Sequence, residues 1–359
     1  MGSIMLNDND FEPDKLREAL LRGGFGKDLK ERQKADRQQR RTAEEERESK
    51  DDKKGSKPTF LRPADIAGDY DFKRALQTTL GMLEGVTRAI TKEDIQAFAH
   101  NIEAIAENYK GGITVEQVIA FSTADDIKRA NEQIHVAHPV RRKGGLVHFI
   151  TNASRDSDAQ YHYVNVEFQA FDSLIFNPEQ IKMTTVQNRL AKGKVKFECD
   201  CGRFKYWYRY INTVGGTVLG RQEGGFPKIR NPNLTGIACK HILRVMHWIK
   251  SGHGVRYMQQ ALDNDRHKQV GTRYKQNKKD LSREISEQMV RAGTKRNQIV
   301  PKVQTEIKKL QDKAERRAKA LLAKQQQAIT KSQALTKLKQ LHQTGILSDA
   351  EYELLSKKL

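Results

Sequence analysis

The chain has 359 residues, of which 37% are hydrophobic and 31% charged, and its formal net charge is +20. This length exceeds one typical core, and the low apolar content is typical of several modules joined by charged segments. The longest apolar runs, such as residues 145–150, are far too short to cross a bilayer, and no apolar export segment opens the sequence. We therefore expect a protein that is neither secreted nor membrane-spanning, located in the cytoplasm or in an assembled particle.

The positive charge lies in the second half of the chain. Residues 1–190 contain 29 lysines and arginines against 31 acidic residues, whereas residues 191–359 contain 36 against 14, a net charge of +22. A polyanion such as nucleic acid fits this pattern, because each neutralised phosphate releases counterions. The alternatives are a basic surface that only keeps the protein soluble, or one that matches an acidic protein.

Residues 1–60 form a charged leader. From residue 27 to residue 54 the segment is nearly continuous charge. It offers too little apolar surface to offset the entropy lost on ordering. We expect disorder there, or one solvated helix.

Residues 61–140 form a predicted helical module without evident catalytic chemistry. Apolar residues three or four apart predict a helix within residues 72–90. Thr91 can cap the next helix in a capping-box arrangement, Thr114 with Gln117 can start a third, and Thr123 can cap a fourth.

Residues 141–250 form a β-rich module. The apolar run 146–151 and the alternating segment 161–168 predict strands, with a short helix near residues 185–190. Segments 195–199 and 204–214 complete a predicted antiparallel sheet.

All three cysteines of the chain belong to one pattern, Cys199-x-Cys201 followed by Cys239-x-His241. In an extended segment, side chains two residues apart point to the same side, so Cys199 and Cys201 can bind one ion together. Three thiolates and one imidazole form a common closed ligand set for a structural Zn²⁺. The alternative is three buried free thiols beside an unrelated histidine.

At residues 195–250 this pattern resembles the SWIM zinc-finger family, which has C-x-C, a variable insert and then C-x-H. The resemblance implies a small ββα unit with the first ligand pair on a hairpin and the second at the start of a helix. It also implies association with DNA or with other proteins, and no catalytic activity.

The segment after the first ligand pair alternates aromatic and basic residues. As a strand, it would place Lys205, Trp207 and Arg209 on one face, offering charge to phosphates and a flat ring to a base. Alternatively, the aromatic residues only cover a small sheet while the basic side chains reach outward. The predicted nucleic-acid contacts are Lys205, Trp207, Arg209, Lys228, Arg230, Lys240 and Arg244.

The chain ends in two further predicted modules. Residues 251–330 form basic helices poor in apolar residues, suited to lie on a partner. In residues 331–359 a leucine-rich helix, a Gly-Ile-Leu turn and a helix capped by Ser348 resemble the SHOCT short C-terminal module. That resemblance implies a role in assembly, so we expect this helical hairpin to contact a protein partner or a second copy.

Together these features predict an α+β, multi-module protein with a small antiparallel sheet, a ββα zinc finger, an N-terminal helical module and basic C-terminal helices. The expected function is non-enzymatic binding of nucleic acid, DNA in preference to RNA, with one structural Zn²⁺ and no small-molecule substrate. The alternative is a structural or assembly component of a multi-subunit particle, such as a bacteriophage virion, that uses the same modules for protein contacts.

Overall fold

The structure is a computed structural model with two compact units, Met1–Lys302 and Val303–Leu359. It describes residues 25–48, 58–83, 85–154, 157, 159–177, 181–268, 274–275, 278–301, 331, 334–344 and 347–358. The predicted basic helix at residues 303–330 and the predicted turn at residues 345–346 therefore lie outside the described residues. No helix in the described part of the chain is long and apolar enough to span a membrane.

The first unit is α+β. Its strands are β1 (Gln77–Thr78), β2 (Arg88–Ala89), β3 (Ile113–Thr114), β4 (Ala137–Lys143), β5 (Leu146–Asn152), β6 (Tyr161–Phe168), β7 (Lys194–Cys199) and β8 (Tyr274–Lys275). Its helices are α1 (Phe25–Glu48), α2 (Lys92–Tyr109), α3 (Val115–Ala120), α4 (Ala124–Gln133), α5 (Phe171–Ile175), α6 (Met183–Val186), α7 (Arg209–Val214), α8 (Lys240–Lys250), α9 (Gly252–Lys268) and α10 (Lys278–Arg291).

The main sheet has the strand order β3-β7-β6-β5-β4-β8, and every neighbouring pair is antiparallel. The predicted strands at 146–151, 161–168 and 195–199 are confirmed as its centre, with β5 facing β6 from Leu146↔Glu167 to Asn152↔Tyr161. The alternating side chains of β6 and β7 are buried on one face, against α8. This face positions the candidate site.

Two predicted elements are wrong. The described residues of 72–90, all but residue 84, form no helix but turns and the short β1–β2 pair, where Gly81 and Gly85 adopt positive φ of 71° and 82°. Residues 204–214 form no strand but a π-helical turn, Phe204–Tyr208, that continues into α7. Phe204, Tyr208 and Ile211 lie four and three residues apart and are all buried. This spacing places them on one face of a helix, whereas the alternating aromatic residues had predicted a strand.

The predicted helix starts at Thr91, Thr114 and Thr123 are confirmed. Thr91 forms a capping box with Asp94 at α2, Thr114 forms one with Gln117 at α3, and the Thr123 hydroxyl accepts from the backbone of Asp126 at α4. Each cap satisfies amide donors that the first helical turn leaves unpaired.

Most of the described leader is α1, which is helical and contacts the body of the first unit. Arg47 pairs with buried Glu223 at 2.5 Å, and Lys205 Nζ lies 3.2 Å from a carboxylate oxygen of Asp36. This helix is therefore not alone in solvent.

The second unit contains α11, residues 334–343, and α12 (Asp349–Lys358). The capping box of Ser348 with Glu351 is confirmed by hydrogen bonds in both directions. His342 contacts α12 through Asp349 at 2.6 Å and through the ring of Tyr352, with ring centroids 4.7 Å apart. The two helices of the predicted hairpin are therefore in contact.

Candidate metal centre

The four predicted metal ligands come together from two chain segments. Cys199 is the last residue of β7, and Cys201 follows it after one residue. Cys239 is the N-cap of α8, and His241 lies in the first turn of that helix. The sheet presents one pair and the helix presents the other, so the donors converge between β7 and α8.

The spacing of the donor atoms fits a tetrahedral ion. One donor atom from each of the four residues lies within 4.8 Å of the others. The Sγ atoms of Cys199 and Cys239 are each 3.9 Å from His241 Nδ1. Donors around a tetrahedral Zn²⁺ stand roughly 3.5–3.8 Å apart, given Zn–S of about 2.3 Å and Zn–N of about 2.0 Å. A buried Cys₃His group that could hold Zn²⁺ is therefore present.

Burial shapes the acid–base chemistry of the four donors. It raises the pKa of the Cys199 and Cys239 thiols. At Cys201 burial acts in the same direction, but hydrogen bonds with Cys199, Cys239 and His241 outweigh it and lower the pKa. Burial lowers the pKa of His241, which favours the neutral imidazole that binds metals. A divalent cation would supply the charge that lets all three thiols ionise.

Backbone amides support the sulfur atoms. The Cys201 amide donates to Cys199 Sγ at 3.5 Å, and the Phe204 amide donates to Cys201 Sγ at 3.4 Å. Cys239 sits at the N-terminus of α8, where the helix dipole favours negative charge. These features stabilise thiolates over thiols.

Asp200, between the first two ligands, is held from three sides. The His162 ring donates through Nδ1 to its carboxylate at 2.9 Å, the Tyr163 amide donates at 3.1 Å, and Arg32 of α1 forms an ion pair with it. The His162 ring also packs against His241, with centroids 4.3 Å apart. The turn that carries two ligands is thus fixed by α1 and β6.

Sequence reasoning missed Arg32 and His162. Both lie far from the cysteines along the chain, and neither belongs to a local spacing pattern. The acidic residue inside the C-x-C segment was a usable signal, because a carboxylate at a buried turn needs a partner.

Most of the predicted nucleic-acid contacts lie inside the fold. Four of the seven predicted contacts, Arg209, Lys228, Lys240 and Arg244, are buried, so they are not available as an exposed basic surface. Their charges have internal partners: Glu198 for Arg209, the Gln77 carbonyl for Lys228, Gln133 for Lys240 and Asn297 for Arg244. Without the predicted strand, nothing places Lys205, Trp207 and Arg209 on one face.

Three predicted contacts keep access to solvent, among them half-buried Lys205. Arg230 is exposed and its guanidinium lies 5.1 Å from the centre of the half-buried Trp207 ring. Arg203, which the sequence analysis did not single out, lies 4.7 Å from the same ring. It also pairs with buried Asp126 at 3.1 Å. Trp207 thus lies close to two cations at the surface.

Comparisons with protein-family models, with curated proteins and with solved structures returned no match for this chain. Within the described residues, the Cys₃His group is the one cluster of three or more His, Cys, Asp or Glu donors suited to a metal ion.

Replacement of one ligand tests the metal centre. We expect Cys239→Ser to lose most bound zinc and to lower the free energy of unfolding by about 3 kcal/mol or more, because metal binding and folding are coupled. Metal analysis and thermal melting with and without a chelator measure both effects. The unmodified chain, stripped and reloaded with zinc, is the control. Freshly prepared protein without zinc, or a Cys239→Ser variant that melts like the zinc-loaded unmodified chain, would contradict the prediction.

Replacement of Arg32 tests the support of the ligand turn. Arg32→Gln leaves Asp200 without its cationic partner, and changes of this kind weaken metal binding by about tenfold or more. Competition with a coloured chelator measures the zinc affinity. Arg41→Gln, an exposed site on the same helix, is the matched control. Equal affinities for the two variants would show that α1 does not support the centre.

Proposed function

We propose that this chain is a non-enzymatic zinc protein whose Cys₃His centre is structural. The observation that carries this proposal is that four protein donors, all buried, converge on one point. Four protein ligands fill a tetrahedral Zn²⁺, whereas a catalytic zinc keeps one position for water or substrate. The ion would join the end of β7 to the start of α8.

The resemblance to SWIM zinc fingers supports the same proposal in part. The order of the ligands agrees, and the second pair lies at the start of a helix as the family implies. The segment after the first ligand pair differs from the family pattern, because residues 204–214 are helical where a ββα unit would have a strand.

We further propose that the chain binds nucleic acid, DNA in preference to RNA, through exposed basic residues of its second half. The net charge of +22 over residues 191–359 supports this. Trp207 with Arg203 and Arg230 is the best-formed surface for it, since an aromatic ring can stack on a base while a neighbouring guanidinium binds phosphate.

Salt-dependent binding tests this proposal. Arg230→Gln should weaken binding of single-stranded DNA and flatten the salt slope by about one unit, the effect of one lost phosphate contact. Trp207→Ala should weaken binding by about fivefold or more through lost stacking, with an unchanged slope. Fluorescence anisotropy over a salt series measures both.

Lys128→Gln is the matched control, because Lys128 is an exposed lysine of α4 that pairs with Glu132. Equal loss of affinity in the Lys128 and Arg230 variants would mean that the net charge alone attracts the DNA. The absence of any salt-dependent binding would refute the proposed function.

The C-terminal hairpin favours a second candidate function, assembly with another subunit. Leu335, Leu341, Leu354 and Leu355 all keep more than a third of their surface exposed. Two short helices bury too little apolar surface to be stable alone. A second copy of the hairpin would cover the exposed leucines.

Light scattering tests the assembly proposal. We expect the full chain to give at least a dimeric mass, and Leu354→Gln with Leu355→Gln to reduce it toward the monomer because the apolar contact is lost. The change Lys337→Gln, at an exposed position of α11, serves as control. A monomeric mass for the unmodified chain at all concentrations would exclude the proposal.

A further inference from the structure

A cavity of about 340 Å³ lies between α1 and the end of β7, next to the metal centre. Its lining carries an excess of three positive charges. Six cationic side chains face three carboxylates; the cations are Arg32, Arg37, Arg40, Lys205, Arg209 and Arg221. The acidic residues are Asp36, Glu198 and Asp200.

One carboxylate inside the cavity shows what its cations can bind. Asp36 lies 3.2 Å from Lys205 Nζ, 3.8 Å from Arg221 Nε and 3.9 Å from Arg40 Nη2. Burial by itself would raise the pKa of Asp36, but the charges of Lys205, Arg209 and Arg221 outweigh it and lower the pKa. The cavity therefore has a positive potential that already attracts one anionic group.

Three guanidinium donors in the cavity lack an acceptor. The Nε atoms of Arg40, Arg209 and Arg221 are buried and have no hydrogen-bond partner. The Arg209 side chain is only 2% exposed, and its Nη1 atom donates to the Arg221 carbonyl at 3.2 Å. Single arginines elsewhere, such as Arg74 and Arg244, also leave Nε unpaired. Here three such donors line one cavity, and this clustering favours an acceptor among them.

We propose that this cavity binds a phosphate group through Arg40, Arg209 and Arg221, with Lys205. Asp36 offers two oxygens in one plane, whereas a phosphate offers oxygens in tetrahedral directions and up to two negative charges. Such an anion matches both the charge excess and several converging guanidinium groups. A water molecule takes about 30 Å³, so the cavity has room for a phosphate with an ester substituent.

The site is distinct from the exposed Trp207 surface and does not depend on the proposed binding of DNA. Its wall includes Asp200, the residue between two metal ligands. Because Arg32 contacts Asp200 and also lines the cavity, phosphate binding and the ligand turn share one side chain of α1.

Calorimetric titration of the full, zinc-loaded chain with inorganic phosphate tests the proposal. Arg221→Gln should weaken binding about tenfold, since it removes one charge-assisted hydrogen bond. Asp36→Asn should strengthen binding, because the competing carboxylate loses its charge. Lys192→Gln, the same loss of charge at an exposed position outside the cavity, should match the unmodified chain.

The opposite effects of the two cavity variants separate binding from folding, because a merely destabilised site would lose affinity in both. Sulfate should compete with phosphate and acetate should not. A dinucleotide phosphodiester is titrated in parallel. Saturation by inorganic phosphate alone would indicate a free phosphate or phosphate monoester, and saturation by the dinucleotide would indicate that the cavity also accepts a phosphodiester. Saturation by neither, or equal affinity in Arg221→Gln and Lys192→Gln, would overturn the proposal, whatever the outcome of the DNA-binding assay.

Discussion

The arrangement of the first unit depends on one constraint. Three cysteine thiols and one imidazole lie within 4.8 Å of one another. Three neighbouring thiolates repel each other in a buried site, and burial penalises each charge further. A divalent cation reverses both effects at once. Residues 202–238 connect the two ligand pairs and contain the helical turn and α7. The ion would therefore close a long loop and also neutralise the thiolates at its two ends.

The position of α8 follows from this centre. The helix begins at Cys239, and its side chains are buried along nearly all of its length. At its far end the Trp248 ring packs against Phe149 of β5 with centroids 5.3 Å apart, while in the middle Arg244 donates to the Ala130 carbonyl at 3.0 Å. Fixing the first turn of α8 to β7 therefore fixes the contacts of the sheet with the helices around it.

The parts of the fold that local sequence determines were predictable. Ligand types and spacing identified the centre, alternation identified β6, and side-chain caps identified the start of α2. The helical turn after Cys201 was not predictable, because alternate aromatic residues over a short run fit either a strand or one helical face. Its side chains are buried by distant partners, such as Asp126 for Tyr208, which no local pattern reveals.

Net charge is therefore a weak guide to where a protein binds anions. Several basic side chains of residues 191–250 lie inside the fold. Lys228 and Arg244 are buried, and burial lowers the pKa of Arg244 to about 10. Because these charges have internal acceptors, they contribute to the distant field but not to contact with a ligand. Arg244 also keeps an unpaired Nε, but direct binding requires several such donors around one cavity. By that criterion the cavity beside α1, where three Nε atoms lack acceptors, is a better defined anion site than any stretch of sequence with the same charge.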